Sequence, residues 1–468
     1  MTLLAVCADA GSDLPSLPGD IEVVIIPNLC RSPERLEELA GSTPLVIAVH
    51  DGEYAVGRFQ AALRRAGADP FGVEIVHLHD DDRRLGVELS GAVARAAAFP
   101  GAIPEQVKID LPPRVNRHQF LTLASPPYVA APRIDPARCV AEWGCRACVF
   151  GCPVDALHGV GSTVQYDKAS CVTCGRCVTI CPVGAVDHPT SGARQIEAQV
   201  KALVAASPVT VGVRYRCRRS QPEVLPDGWY SVELACASML TVGWILAPLV
   251  LGAGAVSATR CSNVGCPVGG EAVLEQRMGV AAEVLAGAGL ESGRVDWVVG
   301  AIGDPIGVTD GVDPYRVRSE IHVVGAITDS LRLAAEGAAG GLVTIDAATC
   351  TACAQCSTIC PTAALTAAFD DDIRISFQAE RCVGCGQCLT ACPELDRGAI
   401  SLWQGYDLDA VGGGAVVVRS ASIPACERCG APIAPAAMLE RIGSILGDDH
   451  AGTFDLVSRR CLDCRGLE

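Results

Sequence analysis

The feature that most constrains this chain is a spacing of cysteines that occurs three times without change. Each copy reads Cys-x2-Cys-x2-Cys-x3-Cys-Pro, and the copies begin at Cys171, Cys350 and Cys382. Three closely spaced thiolates can wrap three irons of one cubane, and the proline carries the fourth thiolate towards a neighbouring cluster. Structural zinc sites use pairs of cysteines, so zinc is the weaker interpretation. The spacing therefore predicts [4Fe–4S] clusters.

A fourth set departs from this pattern in its first gap. It reads Cys139-x5-Cys145-x2-Cys148-x3-Cys152-Pro, and Val-Ala-Glu-Trp-Gly fills the longer gap. The set still supplies four thiolates and the proline, so we expect a [4Fe–4S] cluster with an altered loop. Such a loop changes hydrogen bonding and solvent access, which set the potential of a cluster.

The four sets form a fourfold repeat. Four residues before the first cysteine of each set stand Asp135, Asp167, Asp346 and Gln378. An alanine follows four residues after the last cysteine in three sets, whereas Ala399 comes three residues late. Two repeats make a two-cluster module whose halves exchange their fourth ligand. The predicted ligand sets are Cys139, Cys145, Cys148 and Cys181; Cys171, Cys174, Cys177 and Cys152; Cys350, Cys353, Cys356 and Cys392; and Cys382, Cys385, Cys388 and Cys360.

Four further cysteines are scattered between the two modules: Cys217, Cys236, Cys261 and Cys266. They lie at or near the ends of strands predicted at Val209–Tyr215, Trp229–Leu234 and Ala255–Thr259. Because parallel strands end at one edge of a sheet, four thiolates there would be able to hold a [2Fe–2S] centre. The alternative is a set of buried structural cysteines, which are common in α/β cores.

The tail of the chain carries two Cys-x2-Cys pairs, Cys426 with Cys429 and Cys461 with Cys464. Two such pairs predict a tetrahedral four-thiolate site, usually zinc, and a rubredoxin-like single iron is the rival. A helix is expected between them at Pro435–Leu446. Of the 26 cysteines, Cys7 and Cys30 receive no role.

The remaining sequence predicts a multidomain α/β and α+β chain. Near the amino terminus, strands at Leu3–Cys7, Ile21–Ile26, Leu45–Val49 and Gly72–Leu78 alternate with helices at Ser32–Ala40, Val56–Ala66 and Arg83–Phe99, which is typical of a parallel sheet. We expect five parts: an α/β domain (1–110), a two-cluster ferredoxin module (130–200), a second α/β domain (205–335), a second module (340–405) and a zinc-ribbon-like tail (420–468).

Charge and hydropathy narrow the class of protein. The net charge of −16 disfavours nucleic acid and phospholipid surfaces as partners. The start lacks a basic segment with a cleavage site, and clustered cysteines suit a reduced compartment, so a cytoplasmic protein is expected. The uncharged stretch between Leu234 and Arg260 suggests either a membrane span or a buried helix followed by a buried strand; Pro248 and three glycines favour the second.

The middle of the chain resembles the delta subunit of methyl-viologen-reducing hydrogenase. The match over residues 209–300 rests on Tyr215-Arg-Cys217, Cys236, Cys261-x4-Cys266, Gly270, Arg277, Gly289 and Arg294. The resemblance implies a [2Fe–2S] cluster on these cysteines. The chain departs from that family at Ser220, where a second cysteine is usual.

Residues 20–98 resemble the amino-terminal domain of heterodisulfide reductase A. This likeness rests on Asn28-Leu-Cys30-Arg-Ser32, Phe59-x3-Leu63 and Ala66-Gly-Ala-Asp-Pro70. No Gly-x-Gly-x-x-Gly motif, the signature of a dinucleotide-binding loop, follows a predicted strand. The sequence therefore gives no sign of the flavin domain of that family. The two resemblances together imply a flavin-free fusion that covers most of residues 20–400.

These observations predict an iron–sulfur electron-transfer subunit with no catalytic residue of its own. Its partners would be subunits of a hydrogenase, a heterodisulfide-reductase-like enzyme or another oxidoreductase. The alternative is a catalytic iron–sulfur oxidoreductase that binds substrate at a cluster one thiolate short. An iron- or oxygen-sensing regulator would need a DNA-binding element, and the sequence pattern offers none.

Overall fold

The computed structural model describes residues 2–7, 21–39, 45–50, 56–101, 107–109, 128–221, 223–260, 266, 268–307, 313–316, 319–447 and 451–465. The chain forms two compact units: Met1–Cys139 with Cys148–Thr328, and Val140–Ala147 with Asp329–Glu468. It is a mixed α/β protein with parallel sheets and two ferredoxin-like regions, as the sequence predicts.

The amino-terminal sheet lies in the first unit and is fully parallel. Its strand order is Ile21–Ile26, Thr2–Cys7, Leu45–Val49 and Val73–His77, which agrees with the predicted strands to within a residue. One face packs on the helix Val56–Arg65 and the 3₁₀ helix Pro33–Leu39, and the other on the helix Asp82–Ala97. The α-helix expected at Ser32–Ala40 is thus a tighter 3₁₀ helix, a form that is frequent in short connectors.

The middle sheet of the first unit is also parallel. Its strands stand in the order Trp229–Leu234, Gly212–Cys217, Ala255–Ala258 and Val295–Asp296. Around it are the helices Val242–Val250, Glu271–Gly287 and Glu320–Ile327 and the 3₁₀ helices Ala237–Met239 and Ser292–Arg294. The apolar stretch is therefore a buried helix followed by a buried strand. Within the described residues, no helix has the length and apolar character needed to cross a membrane.

Two helices join the amino-terminal sheet to the rest of the first unit. The helix Asp82–Ala97 packs against the helix Ala193–Ala206. The approach is close at Gly91, where an added Cβ would lie 2.9 Å from Leu203 Cδ2. Buried Arg95 forms an ion pair of 3.1 Å with Glu74 and donates a hydrogen bond of 2.7 Å to Gln199 Oε1. Burial raises the pKa of the Glu74 carboxyl, and the Arg95 guanidinium opposes that rise.

The first ferredoxin-like region consists of short antiparallel pairs and single-turn helices. The strand Arg133–Ile134 pairs with Val186–Asp187, and Leu157–Val160 forms a hairpin with Thr163–Tyr166. The helices of this region are the 3₁₀ helix Ala141–Trp143 and the helices Ala147–Phe150 and Arg176–Ile180. A separate antiparallel pair joins Val107–Ile109 to Tyr128–Ala130.

The second unit repeats this plan with longer strands. One sheet has the order Arg332–Ala334, Ile400–Asp407 and Gly341–Ile345, and the other Leu365–Phe369, Asp372–Gln378 and Ala415–Ser422. The helices are Gln355–Thr358, Gln387–Thr390 and Leu408–Gly412, then Ala436–Leu446 and Ala451–Arg459 in the tail, with 3₁₀ helices at Ala379–Arg381, Leu395–Arg397 and Leu462–Cys464. The predicted tail helix is confirmed, with Pro435 as its N-cap.

Candidate iron–sulfur and metal sites

Two cavities in the second unit are each lined by four cysteines. Cys350, Cys353, Cys356 and Cys392 line one of them. Cys360, Cys382, Cys385 and Cys388 line the other. In each cavity three thiols come from one run and the fourth from the other, which is the exchange expected from the sequence. These donor sets fit [4Fe–4S] clusters.

Burial disfavours the ionised form of these thiols when no cation is bound beside them. It raises the pKa of Cys356 and of Cys382 to about 12 and that of Cys385 to about 11, and neighbouring cysteines add to the rise. Four thiolates in one apolar pocket therefore require cations between them, because buried charges must be paired or coordinate a metal. Iron bound to these sulfurs would supply that positive charge.

The backbone around the second cysteine of each run adopts a left-handed conformation. Ala352 (φ 55°) and Ala354 (φ 59°) flank Cys353, and Thr173 (φ 53°) precedes Cys174. Non-glycine residues in this region cost on the order of 1–3 kcal/mol each and persist where the surroundings impose them. The Ala352 N–H donates to Cys350 Sγ at 3.4 Å. The strained turn thus aims backbone donors and successive sulfurs into the same cavity.

Hydrogen bonds between half-modules explain the residues that flank each cysteine run. The backbone N–H of the residue four positions before each run donates to the carbonyl oxygen of the alanine that follows the partner run. These bonds join Asp135 to Ala185 (2.8 Å), Asp167 to Ala156 (2.8 Å), Asp346 to Ala399 (3.0 Å) and Gln378 to Ala364 (2.8 Å). The late alanine, Ala399, makes the same bond as the other three. The 3₁₀ helix Leu395–Arg397 holds the extra residues before it. The repeat is therefore a set of reciprocal backbone contacts that hold the paired halves together.

In the first module, cysteines of both predicted ligand sets lie near the buried Cys177 thiol. Burial raises the pKa of this thiol most, and the neighbouring Cys174, Cys148, Cys171 and Cys152 add to the rise. The second ligand set therefore stays a prediction. Cys152 Sγ accepts a hydrogen bond of 3.2 Å from the N–H of Ala156, and Cys181 Sγ accepts the same bond from Ala185. Donors of this kind stabilise thiolates and metal-bound sulfurs.

The altered loop of the first run is closed by an arginine. The Arg146 guanidinium donates to the carbonyl oxygens of Ala141 (2.9 Å) and Cys145 (2.8 Å). Cys139 donates its N–H to Asp135 O at 3.0 Å, as the first cysteine does in two other runs. The ligand set Cys139, Cys145, Cys148 and Cys181 remains a prediction.

The middle cysteines gather at the carboxyl edge of the middle sheet. Cys217 ends one strand, and Cys236 follows the neighbouring strand by two residues. Cys236 lies in an apolar cluster that also contains Cys266 and Cys174 of the first module. A hydrogen bond with Cys236 lowers the pKa of Cys217 to about 6 and raises that of Cys236. The fourth predicted ligand, Cys261, lies outside the described residues.

Hydrogen bonds and close packing around Cys217 and Cys236 hold this edge in place. Arg277 donates to the carbonyl oxygens of Ser238 (3.2 Å) and Leu240 (2.7 Å), directly after Cys236. Gly270 permits close packing, since an added Cβ would lie 2.3 Å from Ser238 Cβ. The Ser220 hydroxyl donates to Cys217 O at 2.6 Å and so closes the turn after that cysteine.

The four tail cysteines form a compact cluster. The sulfurs of Cys426, Cys429, Cys461 and Cys464 all lie within 4.8 Å of one another. Cys429 is exposed and the other three are buried. The Cys426 N–H donates to Ala431 O (2.7 Å), and the Gly430 N–H donates to Cys426 O (2.9 Å). This folded pair of knuckles is consistent with a zinc-ribbon-like tail and fits a tetrahedral four-thiolate ion.

Comparison with known proteins assigns the two modules. Residues 131–183 and 342–393 each match the family model of the 4Fe-4S dicluster domain. A segment of 42 residues, 9% of this chain, is 40% identical to "Ferredoxin 7Fe" of Hydrogenibacillus schlegelii and covers 54% of it. Another of 59 residues, 13% of this chain, is 34% identical to "Ferredoxin" of Saccharopolyspora erythraea and covers 56% of it. The chain thus spans just over half the length of these curated relatives.

The matches and the cysteine-lined cavities define the class of protein. The chain is an iron–sulfur protein with two 4Fe-4S dicluster domains.

Proposed function

We propose that this chain relays electrons between partner redox enzymes, as one subunit of a larger complex, through four [4Fe–4S] clusters and one [2Fe–2S] centre. The single observation that carries the proposal is the meeting of two predicted ligand sets inside the first unit. Cys174, of the second predicted cubane, shares one buried apolar cluster with Cys236 and Cys266. Ligands in contact shorten the path for an electron between the two sites.

Side chains next to these ligands fix the two sites relative to each other. Arg218, directly after Cys217, donates a hydrogen bond of 2.5 Å to the hydroxyl of Thr173, directly before Cys174. The helix Arg176–Ile180 packs against the 3₁₀ helix Ala237–Met239, which follows Cys236. A fixed separation suits electron transfer because the rate depends steeply on distance. This contact supports a relay more directly than a pair of independent ferredoxin modules.

The resemblances named above suggest the partners. A middle domain like the hydrogenase delta subunit would accept electrons from, or pass them to, a hydrogenase. An amino-terminal part like that of heterodisulfide reductase A would connect the relay to an enzyme of that type. The proposed complex therefore joins two oxidoreductases, with the substrate chemistry in the partners.

The test begins with the metal content of anoxically purified chain. Four cubanes and one two-iron centre predict about eighteen irons per chain. Cys236→Ser should lower the iron to about sixteen and leave the EPR signals of the cubanes unchanged. The matched control is Cys30→Ser, which alters a cysteine outside every proposed iron site and should leave the iron content unchanged. An iron content of about sixteen per wild-type chain would mean that the middle cysteines hold no cluster. The proposed relay would then lack its middle centre.

A further inference from the structure

A cluster of three metal-ligating side chains lies at the carboxyl edge of the amino-terminal sheet. Cys7 is the last residue of the strand Thr2–Cys7, and His50 directly follows the neighbouring strand Leu45–Val49. Cys30 stands in the turn after the strand Ile21–Ile26, on the other side of Cys7. One ligand atom of each residue lies within 4.8 Å of the other two. Three adjacent parallel strands therefore bring two thiols and an imidazole to one point.

The position of this cluster is where α/β sheets bind ligands. The strand order places the second strand on one side of the first and the third on the other, so the chain reverses its direction of progress across the sheet at the first strand. Such a topological switch point opens a crevice at the carboxyl ends of the strands. Cys7, on the central strand, is fully buried, whereas Cys30 and His50 are half-buried. The cluster is therefore closed to solvent at Cys7 and partly accessible to solvent at Cys30 and His50.

The geometry between Cys30 and His50 suits a shared metal ion. Cys30 Sγ lies 3.7 Å from His50 Nδ1. Bonds of about 2.3 Å to sulfur and about 2.0 Å to nitrogen, meeting at a tetrahedral angle, would separate the two atoms by about 3.5 Å. The backbone N–H of His50 also donates to Cys30 Sγ at 3.4 Å, which favours the thiolate that a metal requires.

The turn that carries Cys30 is held by its own backbone. Asn28 adopts a left-handed conformation (φ 58°), and its carbonyl oxygen accepts the N–H groups of Arg31 (3.0 Å) and Ser32 (2.9 Å). Leu29, Leu36 and Phe59 are fully buried in the core beneath it, on the same face as Cys7. The ligands are thus presented by a packed scaffold, so binding requires little rearrangement.

From this arrangement we infer that Cys7, Cys30 and His50 form a metal site, distinct from every iron–sulfur site, that takes a thiophilic ion such as Zn²⁺. Two sulfurs and one imidazole nitrogen suit Zn²⁺ or Cu⁺ and not the oxygen-seeking Mg²⁺ or Ca²⁺. Binding releases the two thiol protons and involves no change of oxidation state. Three ligands meet here among the described residues, and a tetrahedral Zn²⁺ takes a fourth.

Zinc counting on the full chain tests the inference. The background is Cys426→Ser with Cys461→Ser, which removes the tail site. After equilibration with Zn²⁺ and gel filtration under anoxic conditions, this protein should retain about one zinc per chain, as measured by mass spectrometry of the metals. Cys7→Ala with Cys30→Ala should lower the value to about zero, and His50→Gln should weaken retention. His77→Gln, an exposed histidine on the adjacent strand, is the matched control and should retain the zinc.

Alkylation of cysteine gives a second readout, which is independent of zinc counting. Zn²⁺ should slow the reaction of iodoacetamide with Cys30 severalfold, measured by peptide mapping, and should not do so in His50→Gln. Three results would overturn the inference: equal zinc retention with and without Cys7 and Cys30, a Cys7–Cys30 disulfide in anoxic protein, or loss of iron on substitution of Cys30. The iron content of each variant also reports whether the rest of the chain has folded.

Discussion

At the scale of single residues, Glu394 stands between a cluster site and the tail. Its side chain lines the cavity of Cys350, Cys353, Cys356 and Cys392. The carboxylate forms ion pairs with Arg397 (2.7 Å) and with Arg441 of the tail helix (3.2 Å), and these partners hold its pKa below the usual value. It therefore remains a negative charge beside the proposed cubane at working pH.

Glu394→Gln should raise the reduction potential of that cubane. Reduction adds negative charge, and a nearby carboxylate opposes it, so neutralising the carboxylate favours the reduced cluster. The expected shift is on the order of tens of millivolts, measured by EPR-monitored redox titration. Asp396→Asn, an exposed acid two residues further on, should shift the potential less. An equal shift in the two variants would mean that Glu394 has no special influence.

A second residue-scale prediction concerns His188, which is completely buried in the first unit. Burial, with Arg218 and Arg95 nearby, lowers its pKa to about 3 from an ordinary value of 6.5. Between these values the unfolded chain binds a proton that the folded chain does not, so stability falls as the pH falls. The loss contributed by one such histidine approaches about 1.4 kcal/mol per pH unit below 6.5.

The pH dependence of unfolding should therefore be shallower in His188→Gln. The comparison is the change in melting midpoint between pH 7 and pH 5.5 for each protein, because the slope separates proton linkage from a general loss of packing. His158→Gln, which alters an exposed histidine, should keep the wild-type slope. Parallel slopes in wild type and His188→Gln would show that His188 titrates normally in the folded protein.

At the scale of elements, local sequence patterns predict what each segment becomes. Short, mostly apolar runs give the strands Ile21–Ile26 and Leu45–Val49 with their observed bounds. The cysteine spacing predicts the exchanged ligand sets because the ferredoxin turn is defined by near neighbours. Packing partners are not encoded so locally. The sequence pattern does not predict the ligand role inferred for His50, because only the order of strands in the sheet brings His50 next to Cys7. The one sequence feature that points to this role is the position of a histidine directly after a predicted strand.

The tail provides the prediction at this scale. Cys426→Ser with Cys461→Ser should remove the tail metal and leave the iron content and the cubane EPR signals intact. A structural zinc contributes folding energy directly, and without it the tail lacks a core of its own. Residues from about 420 to 468 should then become sensitive to protease, measured by limited proteolysis with mass mapping. Loss of one redox-active iron and its absorbance would instead identify a rubredoxin-like site.

At the scale of the whole molecule, each proposed ligand set lies within one unit, except the set of the altered run, whose Cys145 belongs to the second unit. The first unit contains the middle cysteines and the second predicted cubane in contact, with the amino-terminal sheet packed on the same scaffold through Asp82–Ala97. The second unit contains the two cysteine-lined cavities and the tail cluster. Every proposed redox site is built from cysteine side chains, so under the proposed relay function the chain would hold electrons and depend on partners to supply and use them.

This dependence gives the last prediction. The isolated, metal-replete chain should not oxidise NADH or NADPH, because the sequence contains no dinucleotide-binding loop after a predicted strand. A strong artificial donor such as dithionite should nevertheless bleach the visible absorbance of the clusters under anoxic conditions. The measurement follows nicotinamide absorbance at 340 nm with a dye acceptor present, and the dithionite reaction serves as the control that the clusters are intact. Sustained NADH or NADPH oxidation by the chain alone would contradict the proposed relay function and show that the chain is itself an enzyme.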